Sequence, residues 1–195
     1  TNLVVTFTET ITGLETEQLV LKSNGSPEKL TTNLALLDLK TSVFAAPLVI
    51  LDTDFGDDSL RFQFKVTGDT LDKRLQIKGV AFDAVDWYEL KLTDGFMLNG
   101  IPWNVSANNT IYFLDNYLFI DSLKVQSNTQ QFAIQSEGLP EKTGSTPPIT
   151  LSFNDFPLTD ISNFLAIEQN TIDGLLKGGL TLKNPFDNPY YIADL

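Results

Sequence analysis

The sequence predicts an all-β fold, an antiparallel meander carrying one or two short helices. Three observations predict it: apolar and polar residues alternate with period two, turn-forming pairs recur at roughly 8–12-residue intervals, and helical periodicity is scarce. "LRFQFKV" is the clearest strand, with Leu60, Phe62, Phe64 and Val66 on one face and Arg61, Gln63 and Lys65 on the other. The pattern returns in "RLQIK" (Leu75, Ile77), "YELKLT" (Tyr88, Leu90, Leu92) and "WNVSA" (Trp103, Val105, Ala107). It continues in "SLKVQS" (Leu123, Val125), "QFAIQS" (Phe132, Ile134) and "ITLSF" (Ile149, Leu151, Phe153). Hairpin chemistry lies between these runs, at Asp94-Gly95, Asn99-Gly100, Asn108-Asn109 and Asp115-Asn116. "YLFI" at 117–120 is apolar on both faces, which marks a strand covered on each side or abutting a neighbour.

Three glycines in "IDGLLKGGLTLKNP" (172–185) raise the alternative of a phosphate-cradling loop. Such a loop needs its glycines ahead of a Lys-Ser or Lys-Thr pair that opens a helix. Here Lys177 precedes Gly178 and Gly179, and "LTLKNP" alternates, so the segment reads as a strand. Other glycines, Gly79 among them, are expected at strand ends or close approaches.

Two segments compete for helix. "SPEKLTTNLALL" offers Ser26 as N-cap and Pro27 at the first helical position, although its β-branched residues weaken that reading. "LTDISNFLAI" puts Leu158, Ile161, Phe164 and Leu165 on one helical face. The chain then reads as one elongated module over 1–195. Residues 1–58 form the end of a preceding repeat, 59–138 the meander, 139–148 a loop, and 149–195 a strand, a short helix and further strands.

With 195 residues and 42% hydrophobic content, the chain is long and apolar enough to bury a substantial core. A net charge of −12 argues against nucleic acid and against an anionic membrane surface. No cysteine means no disulfide and no thiolate metal site; no histidine removes Ser-His-Asp and Cys-His chemistry. The chain opens "TNLVVTFTET", without Met and without a secretion signal, and is expected to be a soluble piece of something larger. Its longest apolar run, "VFAAPLVIL" (43–51), is too short to span a bilayer.

Many strands with an apolar face and almost no helix to cover them pose a physical problem. Such faces must be buried against another sheet, by curling, or against a ligand. A closed sandwich, a closed barrel and an open apolar trough all satisfy this.

Three local constellations carry chemistry. "DTDFGDD" packs Asp52, Asp54, Asp57 and Asp58 around a glycine, a composition that suits Ca²⁺. EF-hand spacing is not met, and a solvated acidic turn is the plainer reading. "FDAVDWYELKL" sets Asp83, Asp86 and Glu89 beside Trp87 and Tyr88, as a glycosidase would, yet on a strand these are ordinary polar-face residues. Trp87, Trp103 and several tyrosines could stack sugars, and they support an alternative: an extracellular β-sandwich module binding carbohydrate or protein. No enzyme, no cofactor and no resident metal are expected.

From Trp103 onward the chain resembles the central repeats of the TamB-type translocation and assembly modules, within the AsmA-like superfamily and closest to its Bacteroidetes branch. The resemblance lies in the order of features. "WNVSANNTIYFLDNYLFIDSLKVQSNTQQFAIQSEG" follows the family's strand, paired strands, and strand ending in Gly. "ITLSFNDFPLTDISNFL" follows its strand and short helix, and "IEQNTIDGLLKGGLTLKNPFDNPYYIADL" its Gly-spaced strand run closing on Asn and Pro.

The resemblance implies a twisted, U-shaped sheet, a β-taco whose apolar inner face forms a hydrophobic groove. It implies a place in the periplasm, with an inner-membrane anchor and a contact to a BamA-type outer-membrane barrel both lying outside this segment. It implies phospholipid acyl chains or nascent outer-membrane proteins as partners, in lipid transport and outer-membrane biogenesis. The residues expected to line the groove are Leu60, Phe62, Phe64, Val66, Leu75, Ile77, Leu90, Leu92, Trp103, Val105, Leu123, Val125, Phe132, Ile134, Leu151, Phe153, Leu180 and Leu182.

Overall fold

A computed structural model describes residues 2–5, 15–26, 28–41, 44–68, 73–141, 145–160 and 173–194. Alternation becomes strand throughout. The strands are β1 (Asn2–Val5), β2 (Gln18–Ser26), β3 (Lys29–Lys40), β4 (Ala45–Gly56), β5 (Ser59–Thr67), β6 (Lys73–Asp83), β7 (Tyr88–Leu92) and β8 (Phe96–Leu98). They continue as β9 (Ile101–Val105), β10 (Ile111–Leu114), β11 (Tyr117–Ile120), β12 (Leu123–Ser127), β13 (Gln130–Ser136), β14 (Ile149–Pro157), β15 (Leu175–Lys183) and β16 (Tyr190–Asp194). All sixteen belong to one antiparallel sheet, which runs from β1 at one edge to β16 at the other and does not close. Within the glycine-rich run, Leu175–Lys183 forms β15, paired to β14 and β16.

The first helix candidate is strand. Residues 29–40 form β3, paired on both sides, because Leu30, Leu34 and Leu36 alternate onto one face and β2 and β4 supply ladders for its backbone. Of the second, Leu158, Thr159 and Asp160 are helical and the remainder lies outside the described residues.

The sheet forks at β6. Its second half pairs with β7 from Gly79 to Asp83, while Leu75 and Gln76 pair with β8. One branch runs β7-β10-β11; the other runs β8-β9-β12 and on to β16. Side-chain amides span the fork. Buried Gln76 accepts from Gln63 (2.9 Å) and donates to the Gly95 carbonyl (2.7 Å). Asn109 accepts from the Leu92 amide (2.6 Å) and donates to the carbonyls of Leu92 (3.2 Å) and Ser106 (2.5 Å). An amide side chain here stands in for a missing strand.

Two aspartates within long strands take left-handed backbone. Asp38 in β3 and Asp155 in β14 both adopt φ of 49°, a conformation that Asp tolerates better than most residues. At Asp155 the register slips so that Phe153 opposes Gly178 while Phe156 opposes Leu176. The bulge resets the alternation and turns both phenylalanines to the same side, with rings 5.7 Å apart.

The apolar face curls on itself. Trp103 on β9 and Phe156 on β14 are three strand spacings apart, which would be about 14 Å on a flat sheet. Their ring centroids lie 5.6 Å apart. "YLFI" meets its expectation: Phe119 is buried against Tyr112 on one face and Ile120 among Leu123 and Ile149 on the other.

Gly79 sits in the middle of β6 rather than at its end, under the Phe62 ring. A Cβ there would lie 2.5 Å from Phe62 Cζ and 2.7 Å from the Lys91 carbonyl oxygen. The ring can swing, but the carbonyl belongs to the β6–β7 ladder and cannot. Gly79→Ala should therefore lower stability by about 2 kcal/mol in urea unfolding. Adding Phe62→Leu should not restore it; full rescue would refute the backbone clash.

Candidate functional site

The register aligns apolar residues into rows across the sheet. Leu36, Val49, Val66, Leu75 and Leu98 form one row. Leu34, Leu51, Phe64 and Ile77 form the next. Phe62, Gly79 and Leu92 follow, then Leu30, Phe55, Leu60, Ala81 and Leu90 at the far end. Beyond the fork, Val105, Val125, Phe132 and Phe153 form a row beside Leu123, Ile134, Leu151 and Leu180. Leu182 opposes Ile149. Every residue expected to line the groove thus stands on one continuous face, because the register shifts at Val66/Thr67 and Phe153/Phe156 fall outside the paired rows that carry these residues.

The face is not a trough of even depth. Val66 packs with Leu39, Ala46 and Val49, and Phe64 and Leu75 lie against that group. Trp103 and Val125, only 3% and 1% exposed, form a second group with Phe96 and Phe156. Ile77, Val105, Phe132 and Phe153 pack around it. Leu123 anchors a third with Ile120 and Ile149, flanked by Leu92, Ile134 and Leu151. The middle of the groove is thus largely filled by its own side chains.

A partly open pocket of about 230 Å³ is lined by apolar residues from β6 (Leu75), β8 (Phe96, Leu98), β9 (Trp103), β12 (Val125), β13 (Phe132) and β14 (Phe153, Phe156). An all-apolar cavity of ~150 Å³ stays dry and admits a benzene-sized molecule, so this pocket suits several carbons of an alkyl chain. At the far end, Phe55, Leu60, Tyr88 and Phe113 leave the face open to solvent around a concavity of about 720 Å³.

Phe96, Leu98 and Phe156 are lining residues that alternation alone does not find. Phe96 and Leu98 sit on a strand of three residues, too short to show a period. Phe156 is out of phase because of the bulge; the trace in sequence is the Asn154-Asp155 pair, which favours left-handed backbone.

A larger concavity, about 1000 Å³, lies on the opposite, polar face of β2–β6. Size favours it and chemistry does not. Its central groups satisfy one another: Asn33 donates to Asp52 (2.7 Å), and the Lys65 ammonium reaches the other Asp52 oxygen (3.1 Å). The weak calcium candidates separate accordingly. Asp52 and Asp54 stand on β4, Asp57 and Asp58 form the turn after it, and among the described residues no three carboxylates could hold a metal ion. Trp103 is too buried to serve as a sugar platform.

Asp52 gives a pH prediction. Burial raises its pKa, but the Asn33 hydrogen bond and the Lys65 charge outweigh burial and hold the carboxyl below its ordinary value. A depressed folded pKa contributes stability that is complete above the unfolded value of ~3.9 and lost as pH falls through the folded one. Below about pH 4, wild type should therefore lose melting temperature faster than Asp52→Asn. Parallel curves would rule the linkage out.

The chain matches no known protein family, no curated protein and no solved structure.

Proposed function

We propose that this chain is a non-catalytic segment of a periplasm-spanning envelope protein of the TamB type. Its apolar groove carries phospholipid acyl chains and supports outer-membrane protein assembly. The observation that supports this reading most is the continuous apolar face, curled but open at its far end, with an all-apolar pocket beneath it. Each methylene buried there contributes about 0.8 kcal/mol, so a few carbons in the pocket hold a chain while the head group stays in water. Uneven depth gives such a chain one preferred seat and a shallow exit toward Leu60 and Tyr88.

The test is in-cell photo-crosslinking in the full-length protein, with probes at Phe62, Leu90 and Phe132. Gln63, Lys91 and Gln131 serve as neighbours on the opposite face. Lipid adducts confined to the first set are the expected result. Polypeptide adducts at those positions would replace the lipid conduit with a chaperone-like scaffold, and adducts at neither set would end the groove reading.

A further inference from the structure

Among β2–β11, four hairpins turn at the same end of the sheet, since successive ladders are antiparallel. They are β2–β3 at Glu28, β4–β5 at Asp57 and Asp58, β6–β7 at 84–87, and β10–β11 at Asp115 and Asn116. Asp83 precedes the third turn and Asp86 lies in it. Among the described residues of these four turns none is a cation; Lys29, the first residue of β3, adjoins the first turn.

Just below the turns, Phe55, Leu60, Tyr88 and Phe113 are exposed on the apolar face, and Tyr88 and Phe113 stack at 5.3 Å. Val85 projects above them, 95% exposed. They line the 720 Å³ concavity, and Asp58 and Asp83 stand at its margin. Apolar residues gathered this way and left bare mark a contact surface.

Charge selects the occupant. An anionic lipid surface would be repelled by these carboxylates, and a second copy of this end would bring the same charges. We propose that this end of the sheet docks a basic amphipathic polypeptide segment. Its apolar side chains enter the concavity between Phe55, Leu60, Tyr88 and Phe113, and its Lys or Arg side chains meet Asp58, Asp83 and Asp115. This concavity is also the open end of the proposed groove; peptide affinity reads the docking and lipid adducts at Phe62 and Phe132 read the conduit, so failure of one leaves the other standing.

The probe is a fluorescently labelled peptide of alternating Leu and Lys, set against a Leu-Glu peptide and phosphatidylglycerol vesicles. Anisotropy titrations with the wild-type chain should show binding of the Leu-Lys peptide alone. Tyr88→Ser with Phe113→Ser should weaken it about 10-fold or more. Asp58→Asn with Asp83→Asn should weaken it several-fold and flatten its salt dependence. Asn tolerates the left-handed backbone of Asp58 (φ 54°), so this pair keeps the fold. Asp121→Asn with Asp173→Asn, which follow β11 and precede β15 at the opposite end of those strands, should leave the affinity unchanged. An equal loss from that distant pair would reduce the binding to general charge attraction and overturn the proposal. So would unchanged affinity in both sets of variants, or binding of the vesicles in place of the peptide.

Discussion

Replacing Asn109 by leucine should cost about 3 kcal/mol and lower the melting temperature by roughly 6–12 °C. Leucine matches asparagine closely in shape, so no large cavity enters the difference. What changes is hydrogen bonding. Asn109 is 4% exposed and answers the amide and carbonyl of Leu92 together with the carbonyl of Ser106. The Leu92 groups lie at the end of β7 past its last pair with β10, and Ser106 follows β9, so the Asn109 side chain joins the two branches of the fork. An unmade hydrogen bond to a buried group costs about 1–3 kcal/mol, and partial access to water brings three such losses down to ~3 kcal/mol. Asn109→Asp should fare no better, because it keeps the acceptor for Leu92 N–H, loses both donors and buries a charge. Urea unfolding measures the total, and hydrogen exchange at the Leu92 amide localises it. A loss under about 1 kcal/mol, or unaltered exchange, would show that water closes the fork instead.

That fork shows where the sequence stops being legible. Alternation in "LRFQFKV", "QFAIQS" and "ITLSF" sufficed to place β5, β13 and β14 and to choose their inward residues, since one face of each is buried and period two leaves no other register. "SPEKLTTNLALL" was harder: its Leu34, Leu36 and Leu37 fall on both faces and fit a helix as well as a strand. Pairing on both sides settles it, and pairing is a long-range property. Bulges are similarly hidden. The Asn154-Asp155 pair reads as a polar interruption, while in the fold the left-handed backbone of Asp155 accompanies the register shift between Phe153 and Phe156.

Curling decides how much of the apolar face is site and how much is core. Alternation placed Val66, Leu123 and Val125 with Leu60 and Leu90 as equivalent lining residues. Packing separates them, because β9 and β14 meet over the middle of the sheet and leave the hairpin end uncovered. Buried area near the bend stabilises the sheet enough to tolerate a bare end, and the same curvature leaves the 230 Å³ pocket where the aromatic rings cannot interdigitate fully.

Trp103 separates core from site energetically. Its side chain is enclosed by Phe96, Val125 and Phe156, and its indole Nε1–H is buried without a hydrogen-bond acceptor among the described residues. Trp103→Ala should cost about 3–5 kcal/mol, the transfer energy of the indole plus the enlarged cavity. Trp103→Phe should stay within about 1 kcal/mol of wild type, because the apolar area it gives up is offset by removing an unsatisfied donor worth ~1–3 kcal/mol. Urea midpoints at equal slopes measure both. A Phe variant as unstable as the Ala variant would mean that the N–H has a favourable partner after all. If the pocket is an acyl seat, a short-chain fatty acid should raise the melting temperature of Trp103→Ala more than that of wild type, since the larger pocket buries more methylenes at about 0.8 kcal/mol each. An equal shift in the two would place the fatty acid elsewhere on the sheet.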